Sequence, residues 1–193
     1  MTKYSQIAMI DILTPRSIEY YQKLRKMGVN DAIIRLSTSN YSSYFEIASI
    51  HTDLAKRSGM RVHASLATDL TNPFHDARYF FATYQRLGYS FGSKTMIQCL
   101  PDDRVKDPAK RLHELLGYIS YFVNKDDIDI AVDKRYIDEN RLKIADIPDY
   151  FNLTIINVNK LNSGIDRAGT WIYTDSFEGE LQYLGYDYYG FYT

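Results

Sequence analysis

Residues 72–100, "NPFHDARYFFATYQRLGYSFGSKTMIQCL", contain the repeating unit that decides the fold. Asn72 is a good helix N-cap, Pro73 suits a first helical turn that needs no amide donor, and Gly88 supplies the stop. Between them Phe74, Ala77, Phe80 or Phe81, and Tyr84 recur at helical spacing and are expected to face inward. After a polar turn comes "TMIQCL" (95–100), an apolar run of strand length that ends at Pro101. A helix leading into a buried strand is the grammar of a parallel α/β fold.

The same grammar extends in both directions. "IAMIDIL" (7–13) precedes "TPRSIEYYQKLRKMG", where Thr14 can cap, Pro15 suits the first helical turn, Gly28 closes, and Ile18, Tyr21 and Leu24 form the buried stripe. "DAIIRLS" (31–37) reads as a second strand, a helix from about Tyr44 to Arg57 stops near Gly59, and "MRVHASLA" (60–67) is a third strand. Beyond "TMIQCL", Asp107 and Pro108 open a helix through about Phe122, and "IDIAV" (128–132) is the fifth strand. The rhythm then shortens: "LTIINV" (153–158), "TWIYT" (170–174) and "YDYYGFY" (186–192) are strand-like, with no room between them for full helices. The expectation is an irregular TIM-like (β/α) barrel of about eight strands, parallel in its first half and partly antiparallel near closure, as one domain over residues 1–193.

Composition narrows the function classes. The chain is 45% hydrophobic and 24% charged, which suits a compact domain with a sizeable core. With 23 basic and 24 acidic residues, no global field draws it to nucleic acid or an anionic membrane, and neither partner is expected. The single cysteine, Cys99, excludes an internal disulfide and a cysteine metal cluster. "MTKYSQIAMIDIL" lacks the parts of a signal peptide and no eighteen apolar residues run together, so a soluble protein is expected. His51, His63, His75 and His113 fall at no metal-ligand spacing, and phosphate loops, nucleophile elbows and Cys-His pairs are absent. No metal or other cofactor is expected. The 18 tyrosines suit both half-buried packing and stacking on sugars.

In a parallel barrel the functional residues sit at the carboxyl ends of the strands. That singles out Asp11, Thr38, Ser65 through Asp69, Gln98 through Asp103, Asp133, Asn157, Asn159 and Asp175. Strand alternation puts Gln98 and Leu100 on one face, with Cys99 turned away. Two carboxylates at those positions would form an acid/base pair on the barrel mouth. Gln98 and Leu100 cannot.

The ordered pieces "IDIL", "AIIRLS", "GMRVHASLATD", "DARYFFATYQRLG", "TMIQCLPDD", "RYIDENRL", "NLTIINV", "WIYTD" and "YDYYGF" together resemble the family 25 glycoside hydrolases over nearly the whole chain. Those are lysozymes, N-acetylmuramidases of bacteria and their phages. The resemblance implies an irregular β/α barrel and a bacterial wall glycan, peptidoglycan, as ligand. It places the family's first-strand Asp on Asp11, its last-strand Asp on Asp187, and its Trp-x-Tyr-Thr segment on Trp171, Tyr173 and Thr174. The family's Asp-x-Glu falls on Gln98, Cys99 and Leu100, and its acid after the second strand falls on Thr38. Its aromatic and histidine cluster falls on Ser65, Leu66 and Ala67, and its Trp-Ile-Ala-x-Tyr segment on Thr154 through Val158. Asp11 and Asp187 are thus the retained acidic positions, and Asp11, Gln98, Trp171, Tyr173 and Asp187 the expected substrate contacts.

Each of these residues also has a plainer reading. Asp11 can bond nearby backbone donors, Asp187 can tie down a barrel-closing loop, Trp171 and Tyr173 can be filler, and Asp102 and Asp103 can be solvated rather than replacement acids. A positioned general acid or base contributes about two to four powers of ten in rate. The expected reading is a catalytically degenerate lysozyme-like module that binds wall glycan. The alternatives are a glycosidase using other acids and a protein-interaction scaffold.

Overall fold

The computed structural model describes residues 4–11, 13, 15–40, 45–89 and 92–193. Eight strands close into one barrel: β1 (Ser5–Ile10), β2 (Val29–Thr38), β3 (Arg61–Thr68), β4 (Thr95–Cys99), β5 (Ile128–Asp133), β6 (Asn152–Ile156), β7 (Thr170–Phe177) and β8 (Glu180–Asp187). Pairing is parallel from β1 through β7, and β8 runs antiparallel to both β7 and β1. The expected irregular barrel of eight strands is therefore the observed one, with its antiparallel character confined to the strand that closes it.

Helices α1 (Ile18–Lys26), α2 (Phe45–Arg57), α3 (Pro73–Arg86), α4 (Pro108–Ile119) and the short α5 (Lys134–Asp138) pack outside the sheet or follow its strands. Asn72 caps α3 by accepting from the His75 amide at 3.2 Å, and Asp107 caps α4 by accepting from the Lys110 amide at 2.9 Å. Ala77, Phe80 and Tyr84 of α3 are buried as the spacing requires, but Phe74 is 58% exposed. It lies on the first turn and meets the ring of Tyr118 on α4 edge-on at 5.5 Å. Helix α1 starts later than Pro15 implies, with Ser17 at its N-cap position; Thr14 and Tyr44, read as capping and opening residues, lie outside the described residues.

Strand alternation divides the core in two. Ile7, Met9, Ile33, Met96, Ala131, Ile156 and Ile172 fill the barrel interior. Ala8, Ile10, Ile34, Leu66, Ile97, Cys99, Val132 and Ile155 face the outer apolar layer. Burying one branched side chain contributes about 1.5–3 kcal/mol, so a one-residue slip of any strand would exchange both layers at prohibitive cost.

The last strand lies at 180–187 rather than 186–192. Phe177 pairs with Glu180, and the two residues between them, Glu178 (φ 52°) and Gly179 (φ 81°), both have positive φ. That is a tight two-residue hairpin turn, which returns the chain at once. The tyrosine-rich residues after Asp187 leave the sheet and fold across the amino-terminal end of the barrel, with Tyr192 1% exposed. There Tyr192 donates its hydroxyl to the buried Asp129 carboxylate, which also accepts from Thr154 at 2.6 Å and Asn152 at 2.9 Å.

Candidate functional site at the barrel mouth

The carboxyl ends of β1–β7 surround a polar mouth above the apolar interior. Asp11 follows β1 directly and accepts from the Leu13 amide at 3.0 Å, as a carboxylate at a strand end does. On β2, Arg35 shares the inner face with Ile33, and its guanidinium donates to Ser65 Oγ at 3.2 Å and to the Gln98 side-chain oxygen. Gln98 thus does point into the mouth, two residues above Met96 on the inner face of β4, and meets a cation. Leu100 continues that face just past the strand, its amide donating to the Thr68 carbonyl at 2.8 Å. Thr38, at the end of β2, has a buried hydroxyl oxygen with no hydrogen-bond partner among the described residues.

Three carboxylates converge on the far side. Asp133 ends β5 and caps α5, accepting from the Arg135 amide at 2.8 Å; Asp175 sits on β7. Together with Asp11 they act on the phenol of Tyr183, which β8 points inward. Burial raises the Tyr183 pKa first, Asp175 and Asp133 add to it, and Arg35 opposes them. The mouth therefore has a cationic wall at Arg35, Ser65 and Gln98 and an acidic wall at Asp11, Asp133 and Asp175.

A cleft of about 480 Å³ opens beside it, between Arg35, Thr38, Asp69, Leu100 and Arg141. Its acids are engaged. Asp69 accepts from the amide and hydroxyl of Thr71 at 2.8 and 2.6 Å. The Arg104 side chain and amide hold Asp102 down at about 2, and Asp103 pairs with Arg141 at 2.9 Å. Asn157 ties the 157–169 loop through the carbonyls of Asn162 and Ser163 at 3.2 and 3.1 Å.

The structure does not bring the other expected contacts to this mouth. Asp187 pairs with Ser5 at the start of β1 and Thr170 at the start of β7, so it lies at the opposite end of the barrel. It is 2% exposed and accepts from the amides of Phe191 at 3.0 Å and Tyr192 at 2.9 Å, the loop-holding arrangement. Trp171 and Tyr173 alternate with Thr170 and Ile172; Ile172 faces the interior, which turns both rings outward. The histidines are dispersed: His63 contacts buried Asp31 at 3.2 Å and His51 contacts the Tyr21 hydroxyl at 2.8 Å. Burial pushes Asp129 up to about 6, within the range of a general acid, but that carboxyl is sealed at the amino-terminal end.

Two mouth residues lie outside the set that the sequence singles out. Arg35 has a signal, as the one charge within "AIIRLS" on an inward parity. Tyr183 has none, because the alternation of "YDYYGFY" draws the closing strand to 186–192, beyond it.

No family model matches the sequence, and no curated protein matches it. Solved structures do. The catalytic domain of the endolysin ply40 from a Listeria monocytogenes bacteriophage superposes with TM-score 0.78 at 10% identity, over 100% of this chain and 97% of that one. A family 25 glycosyl hydrolase from Bacillus anthracis gives 0.71 at 15% identity, over 97% and 91%. The modular autolysin LytC of Streptococcus pneumoniae, solved in complex with a synthetic peptidoglycan ligand, gives 0.75 at 14% identity over 94% of this chain. This chain spans 46% of LytC's length. By strand order, closure and superposition, the chain has the irregular barrel fold of the family 25 glycoside hydrolases.

Proposed function

We propose that this barrel binds bacterial wall glycan at its mouth without hydrolysing it at a useful rate, as a lysozyme-like module encoded by a phage or prophage. The observation that carries the reading is the inner face of β4. Gln98 offers a neutral amide, bonded to Arg35, where the resemblance expects a carboxylate, and Leu100 makes the second position apolar. Removing both positioned acids costs on the order of four powers of ten in rate or more. The acidic wall and the donors around Arg35 still suit the hydroxyl and amide groups of a sugar chain.

The carboxylates gathered around Tyr183 favour one second reading, a glycosidase that draws its acids from Asp11, Asp133 and Asp175. Turbidity loss on purified walls, measured together with release of reducing ends, separates the two. The recognition reading expects wall binding with no turnover above background. Clear turnover that Asp11→Asn abolishes would replace it with the glycosidase reading. Absence of any binding to walls, with Arg35→Ala indistinguishable from the parent chain, would leave a protein scaffold.

A further inference from the structure

Outside the barrel, the wall formed by β7, β8 and β1 carries a groove that the mouth does not explain. The parallel connection from β6 to β7 runs through residues 157–169 without a helix, and the β7–β8 hairpin has none either. Aromatic rings cover the sheet there instead. Trp171 forms the floor, 8% exposed, with its indole N–H donating to the Asn157 carbonyl at 3.0 Å. Tyr186 lies 6.2 Å from it, centroid to centroid, and Tyr4 and Tyr188 meet edge to face at 4.9 Å. Tyr189 and Leu161 stand on the rim, 77% and 98% exposed. The groove holds about 1100 Å³, slightly above the roughly 300–1,000 Å³ of small-molecule sites, so it has room for more than one ring.

We infer that this groove is a second glycan-binding site, one that takes a neutral chain of N-acetylated hexoses across the Trp171, Tyr186, Tyr188 and Tyr189 rings. Its lining is mixed in the way a pyranose is mixed. Ring faces meet the C–H face of a sugar, while tyrosine hydroxyls and the side-chain N–H groups of Gln6 and Asn162, whose oxygens accept from Tyr173 and the Gly164 amide, line the groove for its hydroxyl and acetamido groups. Among the described residues lining it, Asp166 carries the only formal charge, which disfavours a polyanion such as a phosphate-linked wall polymer. An apolar peptide would leave the hydroxyls and amides of the lining unpaired. The inference shares with the proposed function only the ligand class, and the two sites fail separately.

Trp171 is the single tryptophan, so intrinsic fluorescence reports on the groove floor. The test titrates the parent chain with a β-1,4-linked N-acetylglucosamine tetramer, by emission and in parallel by calorimetry. A saturable emission change is expected, weakened about three- to tenfold by Tyr189→Ala, in line with the loss of one aromatic contact. Tyr189 is exposed, so the variant keeps its circular dichroism and melting profile. No titration by either method overturns the inference. If Gln98→Ala abolishes calorimetric binding and Tyr189→Ala does not, the tetramer sits in the mouth: the groove is then overturned while the proposed function stands. A groove filled by a second copy of the chain also overturns it, and shows as a dimer on gel filtration that Tyr189→Ala dissociates, with emission unchanged by the sugar.

Discussion

Replacing Asp129 by Asn removes one titration from the sealed end of the barrel and leaves the shape of the side chain in place. Desolvation raises the Asp129 pKa from 3.8 to about 6, against hydrogen bonds from Thr154, Tyr192 and Asn152 that lower it; the nearby Asp187 charge raises it further. A folded-state pKa above the unfolded value means that folding takes up a proton. The associated stability is fully present below pH 3.8 and is lost as pH rises through 6. A shift of this size corresponds to about 3 kcal/mol in total, of which about 2 kcal/mol falls between roughly pH 4 and pH 7. The Asn variant has a constant offset from its imperfect hydrogen bonding but lacks that slope. Urea unfolding followed by Trp171 emission across this pH range measures the difference directly. Relative to Asp129→Asn, the parent chain should lose about 2 kcal/mol on going from about pH 4 to pH 7. Tyr192→Phe removes a bond that holds the folded pKa down, so the loss should still begin near 3.8 but extend to higher pH than in the parent. Parallel stability curves for parent and Asp129→Asn would refute the placement of a desolvated carboxyl beneath Tyr192.

Asp187→Ala strands one buried and one half-buried amide and should cost about 2–4 kcal/mol of stability, whereas Asp11→Asn should cost under about 1 kcal/mol; thermal melts of the two variants compare them. Gly185 lies on the inner face of β8, where an added Cβ would come within 2.9 Å of the Trp171 carbonyl and 2.7 Å of the Ile172 side chain. Gly185→Ala should therefore lower the urea midpoint by the equivalent of about 1–3 kcal/mol. The double change Gln98→Asp with Leu100→Glu should not restore reducing-end release, because Arg35 would hold the introduced carboxylate on β4 ionised and the floor at Ser65 through Ala67 carries neither an aromatic ring nor a histidine. Measurable muramidase activity in that double variant would show that only the acids had been lost.

The order of elements is legible because helix caps and strand parities are local. Asn72 with Pro73 and Asp107 with Pro108 announce α3 and α4, and "AIIRLS" and "TMIQCL" carry the alternation that turns Arg35 and Gln98 inward. The closing strand is less legible. "YDYYGFY" reads as a strand more readily than the true one does, and only the positive φ at Glu178 and Gly179 shows that the chain turns there. That turn decides the rest. Because β8 runs antiparallel, its last residue, Asp187, arrives at the amino-terminal end, while Tyr183, nearer its start, faces the mouth. It also sets Trp171 and Tyr173 against β8 on the part of the wall that aromatic rings line, which converts two expected substrate contacts into the lining of an outer groove and its neighbour. Residue type and spacing, which are properties of the chain, determined the barrel and the neutral side chains of Gln98 and Leu100 on one face. Which end of the barrel and which side of the sheet each remaining group occupies depends on strand direction at closure, a long-range property that no local pattern encodes.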